Sequence, residues 1–206
     1  MTPSGSSLTI SAAGNVSDVN TIDNLRQHSL QGVASNDTVM VKGYWAAGDG
    51  GGGVFLWNAA DARQDNDGTI IAPAPAPGGA GRWNRIIEGP WSVKWFGAKG
   101  DATTNDTAAF AKAITAMDGA FYLDGGPGSA NNSAGVVLRV PAGQYVIGDL
   151  IIQRQVWLQG EASSTSYPST VLSILPGSHG FFWEWSGFSK RVGEKRVEWG
   201  LAGSVG

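Results

Sequence analysis

The run from Trp91 to Thr115, beginning Trp-Ser-Val-Lys-Trp-Phe-Gly-Ala-Lys-Gly-Asp-Ala-Thr-Thr-Asn-Asp-Thr-Ala-Ala-Phe, constrains the fold more than any other. Val93 and Trp95 flank Lys94 with the alternation of a half-buried strand, and Phe96-Gly97 ends that strand where a bend costs little. Asn105 and Asp106 are suited to N-cap a helix on which Phe110, Ala113, Ile114 and Met117 form one stripe. A strand, a Gly-rich turn and a short helix with a single face to bury are expected in succession. Further on, short apolar runs recur at Val136 to Val140, Tyr145 to Ile147, Leu150 to Ile152, Val156 to Leu158, Val171 to Leu175 and Phe181 to Trp185. Pro141-Ala-Gly and Gly160 punctuate them. That spacing suits the coils of a solenoid and equally a β-sandwich.

The rest of the composition agrees with a mainly β chain. There are 31 glycines and 9 prolines without a collagen-like period, which calls for many turns between short strands. With 42% hydrophobic and 15% charged residues, 206 residues suffice for one or two modest domains with real cores. The net charge of -3 offers no basic footprint, so no nucleic-acid partner is expected. Without cysteine there is no disulfide and no thiolate metal site, and His28 and His179 lack ligand spacing, so neither metal nor cofactor is expected. The first residues lack a basic and apolar signal pattern, and no run approaches about 18 apolar residues. No membrane insertion is expected.

Residues 1–20, rich in Ser, Gly, Asn and Asp apart from Leu8-Thr-Ile, read as a flexible leader. Thr21 to Gln27 suits a short helix. Val39 to Trp45 suits a strand, followed by a Gly-rich loop and a second strand from Val54. Gly48, Gly50 and Gly53 satisfy G-x-G-x-x-G, yet a dinucleotide loop must open a helix and Val54-Phe-Leu-Trp is β-forming. A glycine β-turn is the better account. Tyr44, Trp45, Phe55, Trp57 and Trp83 read as a small core rather than a sugar-stacking platform, since Phe55 and Trp57 share a strand face. Arg82 and Arg85 read as a solvated face. The Ala72-Pro-Ala-Pro-Ala-Pro stretch reads as an exposed loop, and Glu88-Gly-Pro-Trp as a boundary. Asp118 to Asn132 and Lys190 to Arg196 read as surface loops.

Two collinear motif sets carry a resemblance. Val93-Lys-Trp-Phe-Gly-Ala-Lys-Gly-Asp, then Asn105-Asp-Thr-Ala-Ala-Phe, then Val140-Pro-Ala-Gly-Gln-Tyr-Val-Ile resemble the entry to the pectate-lyase-like parallel β-helix of phage tailspikes and tail fibres. Ala102 and Asn105 depart from the usual Gly and Asp of that pattern. Upstream, Gly43-Tyr-Trp-Ala-Ala-Gly-Asp-Gly-Gly-Gly-Gly-Val-Phe-Leu-Trp, Asp65-Asn-Asp-Gly-Thr-Ile-Ile and Gly81-Arg-Trp-Asn-Arg-Ile-Ile resemble the small anchor module that precedes such solenoids.

The resemblance implies a leader over 1–20, a virion-anchor β domain over 21–89, and a cap helix with the first coils of a right-handed parallel β-helix over 90–206. It implies a structural virion protein of the phage tail: the homotrimeric, tail-attached part of a tailspike or tail fibre, made in the bacterial cytoplasm and serving host-surface adhesion. Two or three coils before Gly206 are fewer than an active site normally needs, which fits the anchoring part of a longer spike or a shortened adaptor. Its partners are then tail proteins at the N-terminal region and, at the host surface, polysaccharide. The alternative is a polysaccharide depolymerase working by hydrolysis or elimination. Asp101 and Asp106 are better explained as turn and cap residues. Asp124, Asp149, Glu161 and Glu184 form no recognisable pair, so no catalytic residue is assigned. A third reading, a cell-surface carbohydrate-binding module, would use the same tryptophans.

Overall fold

Alternating apolar residues build the first of two β-rich modules. A computed structural model of the protein describes residues 17–74, 78–123, 136–152, 156–161 and 169–183. Strand β1 (Ser17–Val19) leads through helix α1 (Ile22–Arg26) into β2 (Thr38–Val41), β3 (Gly53–Asn58), β4 (Ile70–Ile71) and β5 (Arg82–Arg85). Thr21 starts the helix, its hydroxyl accepting the Asn24 N–H at 3.1 Å. The sheet order is β1-β2-β3-β5-β4, parallel only between β1 and β2. Val39, Val41, Phe55, Trp57, Ile71 and Trp83 fill one core, onto which α1 lays Ile22 and Leu25. Trp57 stands opposite Trp83 with ring centroids 5.0 Å apart. Ser17–Val19, expected to belong to a flexible leader, is instead an edge strand, because pairing with β2 lets Val19 pack on this core.

The second module is a solenoid. It comprises β6 (Trp91–Ser92), a 3-10 helix (Val93–Phe96), β7 (Asp101–Asn105), helix α2 (Thr107–Leu123), β8 (Val136–Val140), β9 (Gly143–Ile147), β10 (Leu150–Ile152), β11 (Val156–Gly160), β12 (Thr170–Ile174) and β13 (Phe181–Trp183). These strands form three parallel sheets, β6-β8-β11, β7-β9-β12 and β10-β13, so each coil adds one strand to each sheet. Like residues stack from coil to coil: Leu138 on Leu158, Ile147 on Ile174, Leu150 on Phe181. This is the parallel β-helix expected from the resemblance. In the first coil α2 packs against β10 where a third strand would stand, and buries Phe110, Ala113, Ile114 and Met117 in the same core. The expected stripe is the one buried.

Three local expectations are corrected. Val93 to Phe96 is a 3-10 helix rather than a strand, because the Ser92 hydroxyl accepts the Lys94 N–H at 3.3 Å and Gly97, at φ 91°, closes the turn. Helix α2 is 17 residues long, not short. It therefore runs through Asp118 to Leu123, the first part of the expected surface loop; the remainder of that loop and Lys190 to Arg196 lie outside the described residues. Of the Pro-rich stretch, Ala72 is buried and the Ala74 N–H donates to the Arg26 carbonyl at 2.8 Å, while residues 75–77 are not described.

Candidate functional site

The Gly-rich loop between β2 and β3 is organised by its one carboxylate. Asp49 accepts N–H bonds from Tyr44 at 2.9 Å, Trp45 at 2.7 Å, Ala46 at 3.0 Å and Gly51 at 2.8 Å. Burial opposes its ionisation, but these four amides outweigh burial and hold the carboxyl below its ordinary value. A phosphate-binding loop keeps such amides for its ligand. Here the chain uses them itself, which agrees with a turn and not a nucleotide site.

Arg85 follows from the same loop. Expected on a solvated face, it is buried, since its spacing of two from Trp83 places it on the core side of β5 opposite Phe55. Its guanidinium donates to the carbonyls of Gly68 at 2.9 Å, Gly52 at 2.6 Å and Gly51 at 2.8 Å. It stacks 4.5 Å from the Phe55 ring centroid and 4.7 Å from that of Trp95. Burial pushes it down to about 9, which still leaves it charged at neutral pH. Arg82 is likewise buried, donating to the carbonyls of Arg63, Gly79 and Gly81 at 2.6, 2.6 and 2.8 Å. Both arginines act as internal clamps on turns whose carbonyls lack strand partners.

Because Trp95 belongs to the solenoid, Arg85 also marks a joint between the modules. Trp45 donates its indole N–H to the Gly97 carbonyl at 2.8 Å, and the Lys99 ammonium lies 5.4 Å from the Trp45 ring centroid. Asp67 receives Lys112 of α2 at 2.7 Å and also pairs with Arg26, which holds Asp65 as well. Tyr44 packs so closely that a Cβ on Gly97 would meet its Cε1 at 2.7 Å. Burial is the main cause that raises the Tyr44 hydroxyl to about 12. The five aromatic residues considered together in sequence thus divide. Phe55, Trp57 and Trp83 are core, Tyr44 and Trp45 are joint, and Trp45 keeps 54% of its surface exposed.

The carboxylates considered for catalysis serve the backbone. Asp101 accepts the Thr104 N–H at 2.7 Å and the Thr103 N–H at 3.0 Å, with both hydroxyls added, which holds it well below the usual carboxylate range. Asp106, expected as an N-cap, turns its carboxylate away from α2 to the N–H groups of Lys99 at 2.7 Å and Gly100 at 3.0 Å. Asn105 instead accepts from Thr107 N at 3.0 Å. Glu161 binds Arg139 at 2.6 Å and the Ala142 N–H at 3.0 Å, and Asp149 accepts the His179 N–H at 2.6 Å. Asp124 and Glu184 lie outside the described residues. Among the described residues no three His, Asp or Glu side chains gather as a metal site would require.

Comparison with known proteins places this geometry. Residues 18–88 match the phage tail protein small four-stranded beta-sheet domain, and residues 91–172 match the rhamnogalacturonase A/epimerase, pectate lyase-like family. No curated protein matches in sequence. The enzymatically active domain of tailspike protein 2 from bacteriophage CBA120 is similar at 18% identity and a TM-score of 0.53, over 79% of this chain and 20% of that one. A tailspike of Acinetobacter baumannii bacteriophage Fri1, described as a capsular polysaccharide depolymerase, is similar at 21% identity and a TM-score of 0.52, over 69% of this chain and 22% of its own. A glycan biofilm modifying enzyme of Pantoea stewartii, with a bacteriophage tailspike-like parallel beta-helix fold, matches at 20% identity and a TM-score of 0.52, over 80% and 22%. The chain spans about a fifth of the length of these structures. Its first module is thus similar to a phage-tail β-sheet domain, and its second to a pectate-lyase-like parallel β-helix.

Proposed function

We propose that a chain joining a phage-tail β-sheet domain to the first coils of a β-helix is the tail-attached part of a phage tailspike or tail fibre, contributing to host-surface adhesion. The observation that carries this reading is the uninterrupted succession of the two family matches, 18–88 and then 91–172. The joint supports it, because Arg85 and Trp45 of the first module are held against Trp95 and Gly97 of the second. We assign residues 21–89 to the anchor and 90–206 to the solenoid, and the assembly is a homotrimer in the virion with host polysaccharide as its outer partner. Depolymerisation draws no support from Asp101, Asp106, Asp149 or Glu161, each of which is engaged in a structural bond.

The test is made on particles. Mass spectrometry of purified phage and antibody labelling in electron micrographs should place the chain at the tail, and light scattering of the purified protein should return three copies. Detection in infected-cell lysate but never in particles rejects tail attachment. A reducing-end assay on host capsule with this chain alone should stay at background, and clear turnover would restore the enzymatic alternative.

A further inference from the structure

Side chains alternate along each strand of the anchor sheet, so the residues between its core positions share the opposite face. Helix α1 covers the core face with Ile22 and Leu25. On the outer face two rows cross the strands in register. Met40 of β2 lies opposite Val54 of β3, to whose carbonyl the Ile86 N–H donates at 2.8 Å. Thr38, Leu56, Asn84 and Ile70 form the second row. Met40 and Ile86 are 42% and 44% exposed, and Val54, Leu56 and Ile70 are partly buried. A sheet with apolar residues on both faces is built to be covered on both.

We propose that this outer face is the seam at which the anchor modules of neighbouring copies of this chain pack on one another. The seam rests on the homotrimer proposed above and gives that assembly its contact in the first module. Charge favours a second copy over an unlike partner. In a closed ring the same patch recurs on every copy about the axis, so an unpaired charge there meets its like. Neither row contains an ionised group. The charges at their ends are neutralised within one copy: Asp18, in register with Met40, pairs with Lys42, and Arg63, which donates to the Asn84 side chain at 2.8 Å, pairs with Asp61 at 2.6 Å. The whole chain carries a net charge of -3, so this balance is local. An unlike partner would impose no such balance.

The chain has no cysteine, so an introduced thiol reports on one place. In the purified full chain, Met40→Cys, Ile86→Cys or the two together should oxidise to disulfide links between copies in a yield independent of dilution, while Asp23→Cys, exposed on α1, should not. Met40→Glu combined with Ile86→Glu, both exposed changes, should keep the circular dichroism of the unaltered chain and raise the concentration of half-dissociation about tenfold in light scattering. Absent links, or links no more abundant than those of Asp23→Cys, in a protein that light scattering shows to be trimeric overturn the seam and leave the trimer standing. A monomeric unaltered chain overturns both. Unchanged dissociation of the glutamate variant also overturns the seam. If a bulky maleimide labels Met40→Cys in the free trimer but not in phage particles, a tail protein covers the face; if removing residues 1–16 unmasks the thiol, the leader does. Either result overturns the proposal.

Discussion

Arg85 lays its guanidinium over the ring of Trp95, 4.7 Å from the centroid, and so ties the last strand of the anchor sheet to the 3-10 helix that opens the solenoid. Three carbonyls depend on the same group. Arg85→Ala should therefore cost about 3 kcal/mol, from orphaned acceptors together with lost stacking. Arg85→Lys keeps the charge but not the fork, and should still cost about 2 kcal/mol. Urea unfolding measures both, and a loss below about 1 kcal/mol for the alanine variant contradicts the role given to this residue.

Gly97 and Gly48 separate strain from contact. Both have positive φ, 91° and 84°, but a Cβ meets Tyr44 at 2.7 Å at the first and open space at the second. Gly48→Ala should cost about 1 kcal/mol of backbone strain, and Gly97→Ala about 3 kcal/mol. Equal melting temperatures for the two variants would show that Tyr44 yields at no cost.

The Lys112 and Asp67 pair should matter little. Their side chains are 45% and 37% exposed, so water screens them. A double-mutant cycle is expected to give a coupling of about 0.5 kcal/mol at low salt and nothing measurable at about 1 M. A coupling that survives high salt would mean that the pair is desolvated in solution.

Acid should destabilise the anchor through Asp61 and Asp49. The Arg63 guanidinium holds the Asp61 carboxyl well below its ordinary value, and the amides around Asp49 do the same there. Such folded-state pKa values are depressed, so their stabilisation is complete above the unfolded value of about 3.9 and is lost as pH falls through the lower folded value. Asp61→Asn should flatten the stability profile below about pH 4 and lower stability at pH 7. An unchanged acid limb would place the proton uptake elsewhere.

Where the chain is cut at its start should also matter. Removing residues 1–16 spares β1 and should leave the melting temperature unaltered while abolishing incorporation into particles, if that segment is what the tail holds. Removing residues 1–20 takes Val19 from the core as well and should lower the melting temperature by several degrees. Normal incorporation of the shorter deletion refutes attachment through the leader.

The strands were legible because Leu138, Ile147 and Leu150 sit in short apolar runs, while their winding into coils rather than a sandwich was legible only through the family resemblance. Phe110 to Met117 was legible from helical spacing alone. Val93 to Phe96 was not, because its conformation is set by a Ser92 hydroxyl and by the handedness of Gly97, both invisible to a hydrophobic pattern. Arg85 was missed although its spacing from Trp83 pointed inward, since charge argued for solvent and the three carbonyls that welcome it come from two distant turns.

The stacking of β8 on β6 and of β11 on β8 implies a direction for assembly. Strands β8, β9, β11, β12 and β13 each find a hydrogen-bonding partner in the coil laid before them, and α2 supplies the floor on which β10 can settle. A chain leaving the ribosome from its N-terminus can thus wind coil upon coil without waiting for distant segments. The growing rim of unpaired edges is exposed to aggregation until the next coil covers it.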